Sequence, residues 1–276
     1  MSHDTLNLEK ALKELKSLID NQSYLNQEKF RTWIESILSK VAHETSKSSR
    51  IVLSGDISIT IKKAGPAFTL SFQLSGKSVD IDVVPVLLFS SCKTPPNCSK
   101  LSILEKYQPA DSRYWSVVPK PLNNSKASFS DARYRYWRLC FKEFEKDILD
   151  NYNYGRIKPI IRHLKKLRDT QKWNIASYYI ETLCLNELDI FRISNRQSFT
   201  SLFFTMLQKL REAFRESSIR YYWDEDLNLL EHVGRDEMRS MTGRINHIIQ
   251  TIEKTIANDK YAIARYICEY LFFNEI

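Results

Sequence analysis

The 276-residue sequence predicts an α+β protein, with strands early in the chain and a helical C-terminal lobe. Three observations carry that expectation. Apolar residues recur at helical spacing ahead of residue 42, alternate one by one between Ile57 and Leu74, and return to helical spacing from about Tyr134 onward. A run of strands followed by a run of helices belongs to the segregated α+β class.

Taken in order, Leu8, Leu12, Leu15 and Ile19 predict a first helix, and Phe30, Trp33, Ile34, Ile37, Leu38 and Val41 a second. Gln22, Ser23 and Asn26 mark the break between them. Ile57, Ile59 and Ile61, then Phe68, Leu70, Phe72 and Leu74, read as two strands around a Gly65-Pro66 turn. The stretch KSVDIDVVPVLLF, Lys77 to Phe89, follows a second turn at Ser75-Gly76 and completes a three-strand antiparallel unit. The Pro-rich segment from Ser90 to Asp131 reads as loop, with YWSVVP (Tyr114 to Pro119) as one short strand. Helices are then expected at Tyr136–Asn151, Ile157–Asp169, Ile175–Glu187, Phe199–Glu216, Glu237–Ala257 and Tyr261–Phe273. The boundary falls at residue 133, giving segments 1–133 and 134–276.

Composition narrows the class. With 43% hydrophobic residues and only 6 Gly and 8 Pro, the chain is neither disordered nor loop-rich. The net charge of +8 favours polyanionic partners such as nucleic acid, nucleotides or acidic membrane. The N-terminus lacks the layout of a signal peptide, and no apolar run approaches a membrane span, so no membrane partner is expected. Five cysteines without paired spacing predict free thiols in a reducing compartment, cytoplasmic or nuclear. Cys92 and Cys98 have no His nearby, and no structural zinc is expected.

The two aspartates of KSVDIDVVPVLLF raise the functional question. On a strand, Val79, Ile81 and Val83 point one way and Ser78, Asp80, Asp82 and Val84 the other. Pro85 cannot donate to a ladder, so pairing should weaken there. Two readings stand: an edge strand whose solvent face carries the acids, or a cation site for a hard ion such as Mg²⁺.

Several stretches, in order, bear on that choice: GPAFTLSFQL with SVDIDVVPVLLF, then YWSVVPKP, YWRLCFKEFEKDILDN, HLKKLRDTQKW, ASYYIETLCLNEL and YYWDEDLNLLE. Together they resemble the cyclic GMP-AMP synthase and male-abnormal nucleotidyltransferase superfamily, and within it the insect synthase-like receptors, from about Phe30 to at least Leu230. The resemblance implies part of a nucleotidyltransferase mixed or antiparallel sheet with flanking helices, followed by an all-helical lobe. It implies three metal-binding carboxylates, the third within a pattern matched here by Ile81-Asp82-Val83-Val84-Pro85. Asp82 is therefore the expected catalytic metal ligand, with Asp80 as a second candidate, for Mg²⁺ or Mn²⁺. The family's Gly-Ser helix and first two carboxylates are not found in this chain. Either a truncated form of an active enzyme or a protein without the first half of the active site is then expected.

The resemblance carries further residues. Arg138 matches a base-orienting arginine, Lys165 a lysine reaching the triphosphate, Ser177 a phosphate-contacting serine and Tyr178 the tyrosine that stacks on a nucleobase. Cys140 stands where the family often has serine. The basic segment Arg156–Lys172 puts Lys158, Arg162 and Lys165 on one helical stripe. A solvated face explains such a stripe, and the resemblance offers double-stranded nucleic acid as the other explanation. Lys158, Arg162, Lys166, Arg168 and Lys172 are the candidates; DNYNYGR stands where the vertebrate enzyme has its zinc loop, which fits the double-stranded RNA ligand that the resemblance to the insect receptors implies. The implied function is double-stranded-RNA-activated synthesis of a cyclic dinucleotide from ATP and GTP by two-metal catalysis, with a homodimer on nucleic acid as a compatible assembly. The alternatives are a non-catalytic nucleotide- or RNA-binding protein, or a scaffold, of the same superfamily.

Overall fold

The structure is a computed structural model that describes residues 9, 12–45, 51–53, 57–64, 67–74, 77–90, 95, 114–119, 131–192 and 197–271. Leu8, Cys92, Cys98, Phe273 and the turns at Gly65-Pro66 and Ser75-Gly76 lie outside them. The α+β class holds. The chain divides into two compact units, Met1–Lys93 with Tyr114–Phe141, and Thr94–Arg113 with Lys142–Ile276.

The first unit opens with helix α1 (residues 12–17) and a tight loop to α2 (Gln27–Thr45). Ile19 leaves the helical pattern and forms an isolated bridge with Leu25. Asp20 fixes this loop. Its Oδ1 accepts from the N–H groups of Gln22 and Tyr24 at 2.9 and 3.0 Å, and its Oδ2 accepts from Arg135 Nε at 2.5 Å. Desolvation pushes the Asp20 carboxyl up, but the Tyr24 N–H, the Arg135 guanidinium and the Gln22 N–H together hold it below its ordinary 3.8.

Four antiparallel strands follow in spatial order: β1 (Ile51–Leu53), β2 (Ile57–Ala64), β3 (Ala67–Leu74) and β4 (Lys77–Val83). The alternation of the sequence marks β2 to β4. The short β1, directly behind a polar run, is a fourth strand that alternation does not reveal. Registers Phe68↔Val83, Leu70↔Ile81 and Phe72↔Val79 stack one apolar face, and Thr69↔Asp82 and Ser71↔Asp80 the polar one. Among the residues of this sheet whose side chains are described, Phe68 and Ala67 are the deeply buried ones. β4, the last strand of its sheet, is exposed at every position, with Val79 at 48% and Ile81 at 46%.

Pairing stops at Val83, and Pro85 carries the chain out of this sheet. β5 (Leu87–Ser90) enters a second sheet, ordered β5-β6-β7, with β6 (Tyr114–Val118) and β7 (Arg138–Cys140). KSVDIDVVPVLLF is thus two strands in two sheets. The helix expected at Tyr136–Asn151 is corrected here. Trp137, Leu139 and Phe141 alternate with period two, and Arg138–Cys140 pair with Ser116–Val118, so the helix begins only at Lys142. Phe89 stacks on Trp115 at 4.4 Å, and Trp115 on Phe141 at 6.3 Å, to form this sheet's core.

The second unit holds α3 (Lys142–Asp150), α4 (Ile157–Thr170), α5 (Ser177–Asn186), α6 (Phe199–Glu216), α7 (Arg235–Ile256) and α8 (Ala262–Leu271). Each has the residue pattern of an amphipathic or buried helix. Ser198 caps α6 by accepting from the Ser201 N–H at 3.2 Å, and Ser217 ends it in the left-handed conformation at φ 51°. One element breaks the helical series: β8 (Arg220–Tyr221) pairs with β9 (Asp224–Asn228) across Tyr222 and Trp223. No described helix is long and apolar enough to cross a membrane.

Helix α7 buries Met238, Met241, Ile245, Ile248, Ile249 and Ile252, whereas Ile256 is 39% exposed. Met241→Ala should cost about 2–5 kcal/mol in urea unfolding, while Ile256→Ala should stay within about 0.5 kcal/mol. A lowered carboxylate pKa stabilises the fold above the unfolded value and loses that contribution as pH falls through the folded value. Asp20→Asn should therefore lower the thermal midpoint at neutral pH and flatten its fall below about pH 4, measured by circular dichroism.

Candidate functional site

The acid pair comes first in the chain. Asp80 and Asp82 share the polar face of β4, opposite Ser71 and Thr69 of β3. The Thr69 hydroxyl donates to Asp82 Oδ1 at 2.7 Å. Carboxylates beside hydroxyls form an all-oxygen surface, the donor chemistry that Mg²⁺ or Mn²⁺ takes. Asp80 and Asp82 could supply one or two ligands to one such ion, with water or phosphate completing it. Among the described residues no group of three or more His, Cys, Asp or Glu could hold a metal. The described acids do not make a two-ion cradle.

Arg138 lies half-buried on β7, opposite Val118, and Cys140 lies opposite Ser116 as a free thiol. The lead into this strand is tied down by α2 and the loop before it. Gln27 Nε2 donates to the Tyr136 carbonyl at 2.7 Å, and Trp137 Nε1 to the Leu25 carbonyl at 3.1 Å. An open concavity of about 770 Å³ lies elsewhere in this unit, against Asp20, Lys29, Trp33, Tyr134 and Arg135. None of the candidate site residues named from the sequence lines it.

In the second unit four of those residues come together. Ser177 and Tyr178 open α5, whose N-cap, Ala176, provides no capping side chain. Arg168 reaches across from α4, its Nη1 donating to Ser177 Oγ at 2.6 Å and to the Ile175 carbonyl at 3.4 Å. Its Nε donates to Asp169 Oδ1 at 2.8 Å, and the side chain is only 16% exposed. Lys165, one turn earlier, is paired with Glu181, one turn into α5 from Ser177. The positive residues, the serine hydroxyl and the start of a helix together make an anion-favouring corner.

Tyr178 turns its hydroxyl inward and donates to Glu145 Oε1 at 2.6 Å. Its ring lies 6.1 Å from that of Tyr221. Burial first, then the Tyr221 and Glu145 charges, push its phenol far above the ordinary 10.0, so it remains a donor. Sequence reasoning did not single out Glu145 or Glu181. Glu181 is legible afterwards as the i+4 neighbour of Ser177, but nothing local marks Glu145.

The cations assigned to nucleic acid differ in setting. Lys158 is paired with Asp150, and both side chains are nearly half exposed. Arg162 and Lys172 are exposed, the latter with φ 51°, and Lys166 is half-buried. Arg168 folds onto Ser177 and Asp169 instead of pointing outward.

Two family models match the chain: the Mab-21 protein nucleotidyltransferase domain over residues 2–151, and the Mab-21 protein HhH/H2TH-like domain over residues 156–247. Among curated proteins, a cyclic GMP-AMP synthase-like receptor of Microplitis demolitor is 39% identical over 249 residues, covering 87% of this chain and 45% of the receptor. One from Aethina tumida is 31% identical over 266 residues, covering 94% and 63%. Cyclic GMP-AMP synthase-like receptor 2 of Drosophila melanogaster is 26% identical over 231 residues, covering 81% and 48%. The chain spans about half the length of the first of these relatives. With over half its residues inside the nucleotidyltransferase model and its helical unit inside the companion model, the chain belongs to the Mab-21 nucleotidyltransferase family, alongside the insect cyclic GMP-AMP synthase-like receptors.

Proposed function

We propose that the chain serves in an innate immune sensor that joins ATP and GTP into a cyclic dinucleotide when double-stranded RNA is bound. The observation that carries the reading is the corner where Lys165, Arg168 and Ser177 meet beside Tyr178, within a nucleotidyltransferase family chain. Phosphate suits the cations and the hydroxyl, and a nucleobase suits the tyrosine ring. The division of labour follows the two units. The first unit carries Asp82 and Asp80 for the metal and Arg138 for a base, and the second carries the phosphate corner.

Bound Mg²⁺ or Mn²⁺ would supply Lewis-acid stabilisation of phosphate oxygens. Asp82 and Asp80 account for one side of such a ligand set, and a two-metal transfer draws on more carboxylates than these. The exposed cations Arg162 and Lys172, with Lys158 and Lys166, give a face suited to the phosphates of a duplex, and two copies on one RNA fit that arrangement. The cytoplasm is the compartment where such a ligand would be met.

A second reading has its own support. Asp80 and Asp82 sit on a fully exposed edge strand, with Asp82 already engaged by Thr69, an arrangement equally suited to a non-catalytic nucleotide- or RNA-binding protein.

Incubating the chain with ATP, GTP, Mg²⁺ or Mn²⁺ and double-stranded RNA, with product read by mass spectrometry, separates the two. Cyclic dinucleotide that disappears in Asp82→Asn is the expected outcome; RNA binding without product would leave only the second reading. RNA affinity should fall steeply with salt, and Arg162→Ala with Lys172→Ala should lower the log–log slope by roughly 1–2. A salt-independent affinity would remove RNA from the proposal.

A further inference from the structure

One buried acid of the second unit has no part in the phosphate corner. Glu145, on α3, is 8% exposed. A carboxylate taken out of water is costly unless donors meet it. Tyr178 Oη donates to its Oε1 at 2.6 Å, and Trp223 Nε1 donates to the same oxygen at 2.9 Å. The donors come from α5 and from the turn of the β8–β9 hairpin, 33 and 78 residues along the chain. Trp223 is fully buried, so its N–H must find an acceptor inside the protein. Its indole is held edge-on by Phe144 at 6.2 Å and Tyr222 at 5.0 Å, which leaves the Nε1 direction little freedom. One carboxylate oxygen therefore ties three elements at a single point.

The consequence falls on Tyr178. A half-buried tyrosine whose hydroxyl is spent on an interior acceptor has its ring, not its tip, to offer a ligand. Swinging the side chain about its Cα–Cβ bond would break a short, charge-assisted hydrogen bond, because Oη lies at the far end of the ring axis. We infer that Glu145 is a positioning residue: it takes the proton of the Tyr178 hydroxyl in a hydrogen bond and fixes the direction of the ring's long axis, so that Tyr178 presents its π face, not its tip, to a nucleobase. The inference rests on the reading of Tyr178 as the base platform. It adds that Tyr178 does not choose between ATP and GTP, because stacking accepts any base and the hydroxyl is turned into the protein, away from a base edge.

The test uses the full chain with Mg²⁺ and two probes, ATP and inorganic tripolyphosphate, titrated by calorimetry. Glu145→Leu keeps the bulk but removes the carboxylate oxygen that both donors share. It should weaken ATP roughly tenfold and leave tripolyphosphate within about twofold, because only the base contact is loosened. Glu145→Gln keeps an acceptor oxygen for both donors and should restore most of the ATP affinity. Tyr178→Phe keeps the ring without its tether and should fall with Glu145→Leu; it decides the matter if Glu145→Leu does not fold. Parallel loss of ATP and tripolyphosphate would make Glu145 merely structural and overturn the inference. So would wild-type ATP affinity in folded Glu145→Leu and Tyr178→Phe, even where Tyr178→Ala binds poorly and the platform reading survives. Wild-type ATP affinity in Tyr178→Ala would remove the platform reading and this inference with it.

Discussion

The rotation of α4 about its own axis is the constraint on which the rest of the second unit depends. Ile157, Ile160, Ile161, Leu164 and Leu167 form one stripe, all at 5% exposure or less. Burying each such side chain is worth about 1.5–3 kcal/mol, whereas a half-exposed ion pair such as Lys158–Asp150 contributes about 1 kcal/mol or less. Packing therefore sets the rotation and the charges follow. Once the stripe faces inward, Lys165 and Arg168 can only emerge on the side where α5 begins, and His163 lodges against Phe199 and Phe203 at 5.1 and 6.2 Å. The same stripe sends Arg162 outward.

That geometry leaves the phosphate corner partly neutralised. Glu181 holds Lys165, and Asp169 shares Arg168 with Ser177. An incoming polyphosphate exchanges partners with these carboxylates instead of filling bare positive charge. Such an exchange lowers affinity relative to unpaired cations, but it keeps long side chains ordered before binding, so less rotamer entropy is lost when the anion arrives. Arg168 is the clearer case. Its guanidinium spans a backbone carbonyl, a hydroxyl and an acid, a fork geometry that a lysine could not reproduce.

Legibility in the sequence followed the range of the interactions. The apolar stripes of α4, α6 and α7 repeat every three or four residues, and their helices fall within a few residues of expectation. Arg138–Cys140 was misread because the segment leads straight into a helix, and its strand character comes from Ser116–Val118, more than twenty residues away. The β8–β9 hairpin hides inside an aromatic and acidic run whose Trp223 is wanted for its burial rather than its period. At the site, the alternation placed Asp80 and Asp82 on one face, but nothing in it told that the opposite face of β4 stays open to solvent. Lys165, Ser177 and Tyr178 were legible only through an ordered set of family stretches. Glu145 and Trp223 stand 78 residues apart, with no local signal joining them.

The acid pair illustrates how register, rather than composition, creates a site. Slipping β4 by one residue against β3 would carry Asp80 and Asp82 to the face of Leu70 and Phe68. Phe68 is fully buried, and a carboxylate moved beside it would lose water without gaining a donor. In the observed register Asp82 faces Thr69, Asp80 faces Ser71, and the face continues into β2 through Lys62 and Thr60. Pro85 completes the device. It ends the ladder just past the acids, so β5 joins another sheet and the polar face is not extended by a strand of the wrong pattern. The burial of one phenylalanine and the missing donor of one proline thus hold two carboxylates on an oxygen-lined surface, whatever ligand that surface serves.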